Sequence, residues 1–347
     1  MTPPPTKALI IRFSSVGDIV LSSLLIRVFR RAFPDCRLDF AVKSTYADLV
    51  RHNPNISNVI TFPEKGSVAE LTRMRTTIRE TGYDLIMDIH DSIRSRVITF
   101  GHPRTVRINK RKLARFLLVK TGFNLYPRLG GSPGVAERYL EPVSSLGVED
   151  DGNGLEVFFP AGTEIRADSL LGGTKGPFVG IAPGSIHGNK VWLPDRFARA
   201  GLAIALEKRA GIILFGSARE RDRCDEIENL LRAERPDLAV VNTAAQTTLL
   251  EVAALMDRCL VVLTNDSGLM HLAAARKRPV VAVFGPTVKE FGFFPTGTRS
   301  KVVEHPALYC RPCTHVGLKE CPKGHFRCMT EIETGTVLTA ARELLEA

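Results

Sequence analysis

The sequence predicts an α/β protein made of two consecutive doubly wound units. Three observations predict it. Apolar, β-rich runs alternate with helical patterns twice along the chain, which implies parallel strands joined by right-handed crossovers. A breaker-rich stretch, 160–177, separates the two alternations. Turns rich in Gly and Ser follow the strands, and open α/β sheets bind ligands at those strand ends.

In the first alternation, strands are expected at 8–12, 38–42, 59–62, 85–88 and 105–108, with helices over 19–33 and 68–80. In the second, strands are expected at 178–182, 212–215, 239–241, 260–263 and 280–284. Helices there fall at 195–209, 220–231, 249–256 and 269–275. A last amphipathic helix over 336–346 carries Val337, Leu338, Ala341, Leu344 and Leu345, with Thr334 or Thr336 near its cap. No repeat is visible, which excludes a solenoid. Two domains facing each other across a cleft are the expected architecture, and such clefts commonly hold small-molecule sites.

The 347 residues suffice for two domains, and 44% hydrophobic with 24% charged residues is ordinary for a globular chain. No apolar run reaches bilayer-spanning length. Met1-Thr2-Pro3-Pro4-Pro5 has no signal-peptide pattern, and the apolar run from Ala8 is cut off by Arg12. A cytoplasmic protein, soluble or peripheral to a membrane, is expected.

The net charge of +10 is concentrated in the first part of the chain. Residues 1–150 hold 23 Lys/Arg against 14 Asp/Glu, whereas residues 151–347 hold 24 against 23. Residues 92–136 contain ten Lys/Arg, among them Arg94, Arg96, Arg107 and Arg111, and no acid. A solvated face is the plain reading of a short basic run. Over so long a stretch, a surface for an anionic partner is favoured: nucleic acid, acidic lipid or phosphorylated sugar. Nucleic acid is disfavoured, because no recognition motif occurs and only 7% of residues are aromatic.

Cys36, Cys224 and Cys259 are scattered, but Cys310, Cys313, Cys321 and Cys328 cluster near His315 and His325. Their spacing, C-x2-C-x7-C-x6-C, suits zinc in part but lacks a second C-x2-C knuckle. The expected state is a compact loop of reduced, partly buried thiols. A cytoplasmic setting argues against disulfides.

Four loops carry the candidate chemistry. Arg12-Phe13-Ser14-Ser15-Val16-Gly17-Asp18 follows the first strand; it is neither G-x-G-x-x-G nor a P-loop. Asp18 reads either as a helix cap or as a general base. Ala182-Pro183-Gly184-Ser185 runs on to Lys190-Val191-Trp192, where Ser185 and Lys190 offer donors to phosphate and Trp192 reads as a loop anchor. In Phe215-Gly216-Ser217-Ala218-Arg219-Glu220, the Glu220 carboxylate reads as a ribose partner or as a helix first-turn acid. Asp266, Ser267 and Gly268 open a helix whose free amides suit phosphate, with His271 a packing residue beside them. Phe284-Gly285-Pro286-Thr287 closes the next strand. No Asp-x-Asp triplet occurs, so neither a catalytic metal nor a cofactor is expected, and the charge of a leaving group falls to Lys190, amides and the helix start.

In this order, these loops resemble glycosyltransferase family nine, the ADP-heptose:lipopolysaccharide heptosyltransferases, over nearly the whole chain. The resemblance rests on 10–20, 182–185, 190–192, 266–268 with 271–274, and 284–287, joined by Glu137-Arg138-Tyr139-Leu140 and the cysteine cluster. It implies a GT-B fold of two Rossmann-like domains. The acceptor domain would span 1–170, the nucleotide-sugar domain 171–330, and the helix 331–347 would pack back on the first. The implied reaction is metal-independent, inverting transfer of L-glycero-D-manno-heptose from ADP-heptose to a phosphorylated lipopolysaccharide precursor of the Kdo-lipid A type. It would take place on the cytoplasmic face of the inner membrane. Carried onto this chain, Asp18 becomes the base, and Ser185 and Lys190 hold the diphosphate. Glu220 meets the ribose, Asp266, Ser267 and Gly268 meet the heptose and phosphate, and Arg94, Arg96, Arg107 and Arg111 meet the acceptor. A GT-B enzyme using another nucleotide sugar is the main alternative.

Overall fold

The computed structural model describes residues 3–346, and the chain divides into two compact units. One runs to Lys110 and takes in Val135–Phe159; the other comprises Arg111–Gly134 and the chain from Pro160 onward.

The sheet of the first unit contains β1 (Lys7–Ile11), β2 (Arg37–Lys43), β3 (Asn58–Phe62), β4 (Leu85–Asp88) and β5 (Thr105–Arg107), all parallel, in the order β3-β2-β1-β4-β5. The central strand reads as an unbroken apolar run because both of its faces are covered: Ala8, Leu9, Ile10 and Ile11 are all buried. The sheet of the second unit contains β6 (Phe178–Ala182), β7 (Gly211–Leu214), β8 (Val240–Asn242), β9 (Cys259–Asn265), β10 (Val280–Phe284) and β11 (Ser300–Glu304). It too is parallel, in the order β11-β10-β9-β6-β7-β8. Strand order reverses between β1 and β4 in one unit and between β6 and β9 in the other. Ligands of open α/β sheets bind at such switch points, beyond the carboxyl ends of the strands.

Some elements depart from expectation. The helix expected over 19–33 is two helices, Val16–Leu21 and Ser23–Ala32. Ser22 divides them, and its hydroxyl donates back to the Ile19 carbonyl at 2.6 Å, a bond that competes with the helical ladder. The edge strand β11 was not expected, since its segment Ser-Lys-Val-Val-Glu buries only Val303. Short helices at Ile93–Ile98, Lys112–Thr121, Val135–Leu140 and Thr163–Leu170 also carried too little periodic signal to be read.

The domain boundaries move for packing reasons. Segment 111–134 lies in the second unit, where Ala114, Leu118 and Tyr126 cluster with Phe291 and Asn124 donates to Glu290 at 3.0 Å. The helix Thr163–Leu170 joins that unit through Asp168, bound to Arg258 at 2.6 Å, and Arg166, paired with Glu251. The last helix, Thr334–Glu346, was expected against the first domain. It belongs instead to the second unit, with Val337, Ala340, Ala341 and Leu344 in the same core cluster as Val281, Val283 and Val303. Its exposed side pairs Arg342 with Glu207 and Glu343 with Lys301.

Phe291 anchors segment 111–134, so Phe291→Ala should cost about 3–5 kcal/mol. Amide exchange in Lys112–Thr121 should accelerate before exchange in β9 and β10. Unchanged protection of Lys112–Thr121 would refute this anchoring.

Candidate active site

At the β1/β4 switch point the chain leaves β1 through Arg12 and turns into the helix Val16–Leu21. Ser15 is the N-cap and Asp18 stands three positions on, so the two form a capping box. Asp18 is therefore not itself the cap. Its Oδ2 accepts from the Ser15 amide (3.3 Å) and hydroxyl (3.0 Å) and meets Arg12 Nη2 at 2.6 Å. Among the described residues, its Oδ1 accepts only from the Tyr139 hydroxyl, at 3.2 Å. Arg12 is fixed in turn: Nη1 donates to the Ile89 carbonyl at 2.8 Å, and the guanidinium lies 5.8 Å from the Tyr139 ring centroid. Burial alone would raise the Asp18 carboxyl; the Arg12 charge and the bonds from Arg12 and Ser15 outweigh it and hold the group below the ordinary carboxylate range. Asp18 is thus ionised at neutral pH, with one oxygen saturated and the other able to accept.

Beside it opens a recess of about 310 Å³ floored by Phe13 and Phe62 and edged by Ser14, Lys43, His90, Ser92 and Arg94. Lys43 pairs with Glu64 at 2.8 Å. Burial foremost, then the charges of Arg12 and Lys110, push the His90 imidazole down to about 3. His90 is neutral at physiological pH, and its Nδ1 has no hydrogen-bond partner among the described residues. The recess therefore combines Arg94, a Lys43 ammonium already paired with Glu64, and a neutral imidazole, groups that can donate to a polar anionic ligand.

At the β6/β9 switch point the constellation has the opposite sign. Lys190 is buried, and its Nζ meets Asp266 Oδ2 at 2.6 Å. Thr287, after β10, donates its hydroxyl to the same oxygen at 2.7 Å. An ammonium carries three donors, and Asp266 takes one. Ser185 donates to the Asp266 carbonyl at 3.3 Å, and Asn265 Nδ2 donates to the Pro183 carbonyl at 2.8 Å. Trp192 is fully buried and donates through its amide to Asn265 (3.0 Å) and through Nε1 to the Ile332 carbonyl (3.1 Å). It anchors the loop, as its sequence position suggested. Ser267 is the N-cap of the helix Gly268–Ala275, yet its hydroxyl lies beside Thr264 at 3.3 Å and does not cap. The amides of the first turn are left for an anion.

Glu220 lies in the helical turn that follows β7. Its Oε2 accepts from the Ser217 amide (2.7 Å) and hydroxyl (2.8 Å), a capping box that uses one oxygen. The other oxygen fills the space above Gly184, where any Cβ would come within 1.8 Å of it. Glu220 thus reaches the Pro183–Ser185 loop while also serving its own helix.

Ser185, Lys190, Asp266, Ser267 and Gly268 come together at one switch point, and Asp18 occupies the other. The four arginines expected to meet an acceptor have different surroundings. Arg94 edges the recess, but Arg96 pairs with Asp91 at 2.7 Å. Arg107 is turned to Asp88 (3.4 Å) and the Thr99 hydroxyl (2.6 Å), a structural tie within the sheet. Arg111 lies in the second unit, where its Nη1 donates to the Gly131 carbonyl at 2.6 Å. Sequence reading missed Arg12, Tyr139, Lys43, His90 and Thr287 as site residues. Arg12, Tyr139 and Thr287 stood inside quoted motifs, but only folding brings Tyr139 to Asp18; Lys43 ends β2 and His90 follows β4, the strand-end signal that could have found them.

A family described as Glycosyltransferase family 9 (heptosyltransferase) matches residues 71–323. The chain belongs to that family. Lipooligosaccharide heptosyltransferase 2 of Haemophilus ducreyi is 29% identical over 358 residues, covering 98% of this chain and 99% of that protein. Lipopolysaccharide heptosyltransferase 2 of Escherichia coli is 26% identical, covering 98% of each. Among solved structures, a family 9 glycosyl transferase from Veillonella parvula superposes with TM-score 0.79 at 21% identity, covering 98% of this chain and 97% of that one. Escherichia coli ADP-heptose lipopolysaccharide heptosyltransferase II superposes with TM-score 0.74 at 23% identity, covering 98% of each. These likenesses establish the GT-B fold. The family 9 match makes the chain a glycosyltransferase.

Two outcomes follow for the first unit of this glycosyltransferase. Arg12→Met leaves the Asp18 charge buried without its partner and should cost about 3 kcal/mol in denaturant unfolding. Stability contributed by ionised Asp18 is present above the ordinary carboxylate value and lost as pH falls through the depressed folded one. Without Arg12 the folded value rises, so acid unfolding of the variant should begin at higher pH. For His90 the unfolded chain binds a proton near pH 6.5 that the folded chain refuses until about 3. Wild-type stability should therefore fall between those values as pH drops, and His90→Gln should lose that part of the slope. An identical pH–stability curve for His90→Gln would refute the assignment.

Proposed function

We propose that this protein transfers L-glycero-D-manno-heptose from ADP-heptose to the inner core of lipopolysaccharide, with inversion and without a catalytic metal. The observation that carries this reading is the buried Lys190, with two ammonium donors unspent beside the uncapped start of the helix Gly268–Ala275. A diphosphate matches those donors in charge and geometry. In this reading Ser185 and Lys190 hold the diphosphate, and Glu220 takes a ribose hydroxyl through its second oxygen. The free oxygen of Asp266, with Ser267 and Gly268, faces the heptose end.

Asp18 Oδ1 accepts the proton of the acceptor hydroxyl. Arg12 makes it a weak base, and a weak base suffices for this step. As the hydroxyl oxygen bonds to an electron-poor anomeric carbon, its proton becomes far more acidic than in the free alcohol. The carbon–phosphate oxygen bond breaks on the opposite face, and ADP leaves with charge that fixed donors stabilise most in the transition state. The recess edged by Lys43, His90 and Arg94 supports binding of a phosphorylated, acidic sugar on the first unit. Relatives named heptosyltransferase 2 match at 29% and 26%, while those named 3 and 1 match at 23% and 22%. This favours the transfer made by the relatives numbered 2 over those made by the relatives numbered 3 and 1. The protein would work at the cytoplasmic face of the inner membrane and bind it peripherally. Its basic first part supports this, and no helix among the described residues is long and apolar enough to cross a membrane.

A transfer assay with ADP-heptose against truncated lipopolysaccharide acceptors tests the reaction. Calorimetry with ADP, UDP and GDP tests the donor, and tight binding of UDP alone would sink the heptose reading. Asp18→Asn should keep ADP-heptose affinity and lose roughly 10²–10⁴ in turnover; transfer at the normal rate would remove Asp18 from the mechanism. Lys43→Glu with Arg94→Glu should raise the acceptor KM and leave donor affinity unchanged.

A further inference from the structure

Segment 111–134 packs in the second unit, and none of its residues enters the mechanism proposed above. It holds five Lys/Arg, namely Arg111, Lys112, Arg115, Lys120 and Arg128, and no Asp or Glu. Its helix, Lys112–Thr121, has two unlike sides. Ala114 and Leu118 are buried in one cluster with Tyr126 and Phe291. Leu113, Phe116 and Lys120 recur three and four positions apart, so they share the opposite side. Leu113 is 65% exposed and Phe116 59%, with Lys112 and Lys120 exposed beside them. The chain beyond the helix continues the pattern. Phe123 and Leu129 are exposed, and the Arg128 guanidinium lies 5.6 Å from the Phe123 ring centroid. A carboxylate borders the segment at Glu290, which accepts from Asn124 at 3.0 Å. Single exposed apolar side chains are ordinary, whereas four large ones on a short segment whose only charges are positive mark a docking surface.

We propose that the exposed side of the helix Lys112–Thr121, together with Phe123 and Leu129, docks on an anionic lipid bilayer. The proposal rests on the peripheral membrane binding inferred above and names the surface that makes it. At ten residues the helix is too short to cross a bilayer, so it lies along the surface. Leu113, Phe116, Phe123 and Leu129 enter the boundary between headgroups and acyl chains. Lys112, Lys120 and Arg128 lay their apolar stems in the same boundary and extend their charges to lipid phosphates. Each Lys or Arg near an anionic surface adds attraction, and the segment has no carboxylate of its own to oppose it.

Charge and chemistry select this occupant over others. A second copy seated on the same side would bring like charges face to face. A nucleic acid would stack on Phe116 and Phe123 but would leave the aliphatic Leu113 and Leu129 unmatched. A bilayer satisfies both sets of side chains at once. Docking also confines the search for a lipid-linked acceptor to a surface.

The test is co-sedimentation of the full chain with vesicles of phosphatidylcholine alone and of phosphatidylcholine mixed with phosphatidylglycerol, at low and high salt. These vesicles contain no lipopolysaccharide, so the acceptor recess plays no part. The wild type should bind the mixed vesicles, bind phosphatidylcholine weakly, and weaken as salt rises. Leu113→Asp with Phe116→Asp should lower affinity for mixed vesicles about tenfold or more. Tm should stay unchanged, since neither side chain is buried. Lys120→Glu with Arg128→Glu should cost a similar factor and flatten the salt dependence. Ile165 supplies the control: it is also exposed, but on a helix carrying Glu164 and Asp168, and Ile165→Asp should bind like the wild type. Phe116→Trp should shift its emission to shorter wavelength on mixed vesicles, above the background of the buried Trp192, and be quenched by brominated acyl chains. Unchanged emission would overturn the insertion.

If the wild type binds and Leu113→Asp with Phe116→Asp binds equally well, this surface is overturned and peripheral binding stands. If the wild type binds no vesicle, both fail. Variants that lose self-association or nucleic-acid binding while keeping vesicle binding would also overturn the bilayer as occupant. If vesicle binding behaves as expected but heptose is transferred to no acceptor, the docking surface stands and the reaction proposed above falls.

Discussion

Lys190 is buried at 8% exposure, and the carboxyl edge of the second sheet is arranged around that constraint. A buried ammonium without a counter-charge costs several kcal/mol, so Asp266 must stand against it. Asp266 must in turn be fixed, which Thr287 does from the end of β10. Asn265 and Ser185 then join the ends of β9 and β6. One ion pair thus ties together the loops after three strands. Such pairs add little net stability compared with apolar packing, so stability alone does not explain one here. What the pair supplies is a cation held in place with donors to spare, beside a helix start that lacks its own side-chain cap.

The first unit uses the same parallel topology to hold the opposite charge. Arg12 leaves β1 as Lys190 leaves the loop after β6, but Arg12 serves as counter-ion to Asp18. The guanidinium is divided between the Ile89 carbonyl and Asp18 Oδ2, so the carboxylate cannot rotate to offer either oxygen equally. Tyr139, contributed by a helix that re-enters the unit after segment 111–134, marks the oxygen that stays available. The geometry settles orientation as well as ionisation, and an oriented carboxylate is worth more to proton transfer than a basic but mobile one.

Close approaches crowd the loops around Lys190 in the second unit. Gly184 leaves room for Glu220, and Gly188 leaves room for the Lys319 carbonyl. A methyl group at Gly184 would displace the Glu220 carboxylate and one at Gly188 would push against the Lys319 backbone, so these glycines act by what they lack. Donors fixed before the ligand arrives need no reorganisation when charge develops, and electrostatic stabilisation depends on that property.

Local patterning wrote much of this into the sequence. The apolar runs of β1, β6 and β10 could only be strands buried on both faces, and the ordered loops after β1, β6, β7 and β9 named Asp18, Ser185, Lys190, Glu220 and Asp266 to Gly268. Elements with weak periodicity were not legible: β11 buries one residue, and Lys112–Thr121 shows its allegiance through Phe291, far along the chain. Basic residues were legible as charge but not as partners, because Arg96, Arg107 and Arg111 find Asp91, Asp88 and Gly131 only in three dimensions. The four cysteines were legible as a spacing; that they ring one void was not. The sequence by itself determined the alternation of strand and helix, because period and composition are local properties. The tertiary structure decided which charges meet, since each pairing depends on contacts between residues distant in sequence.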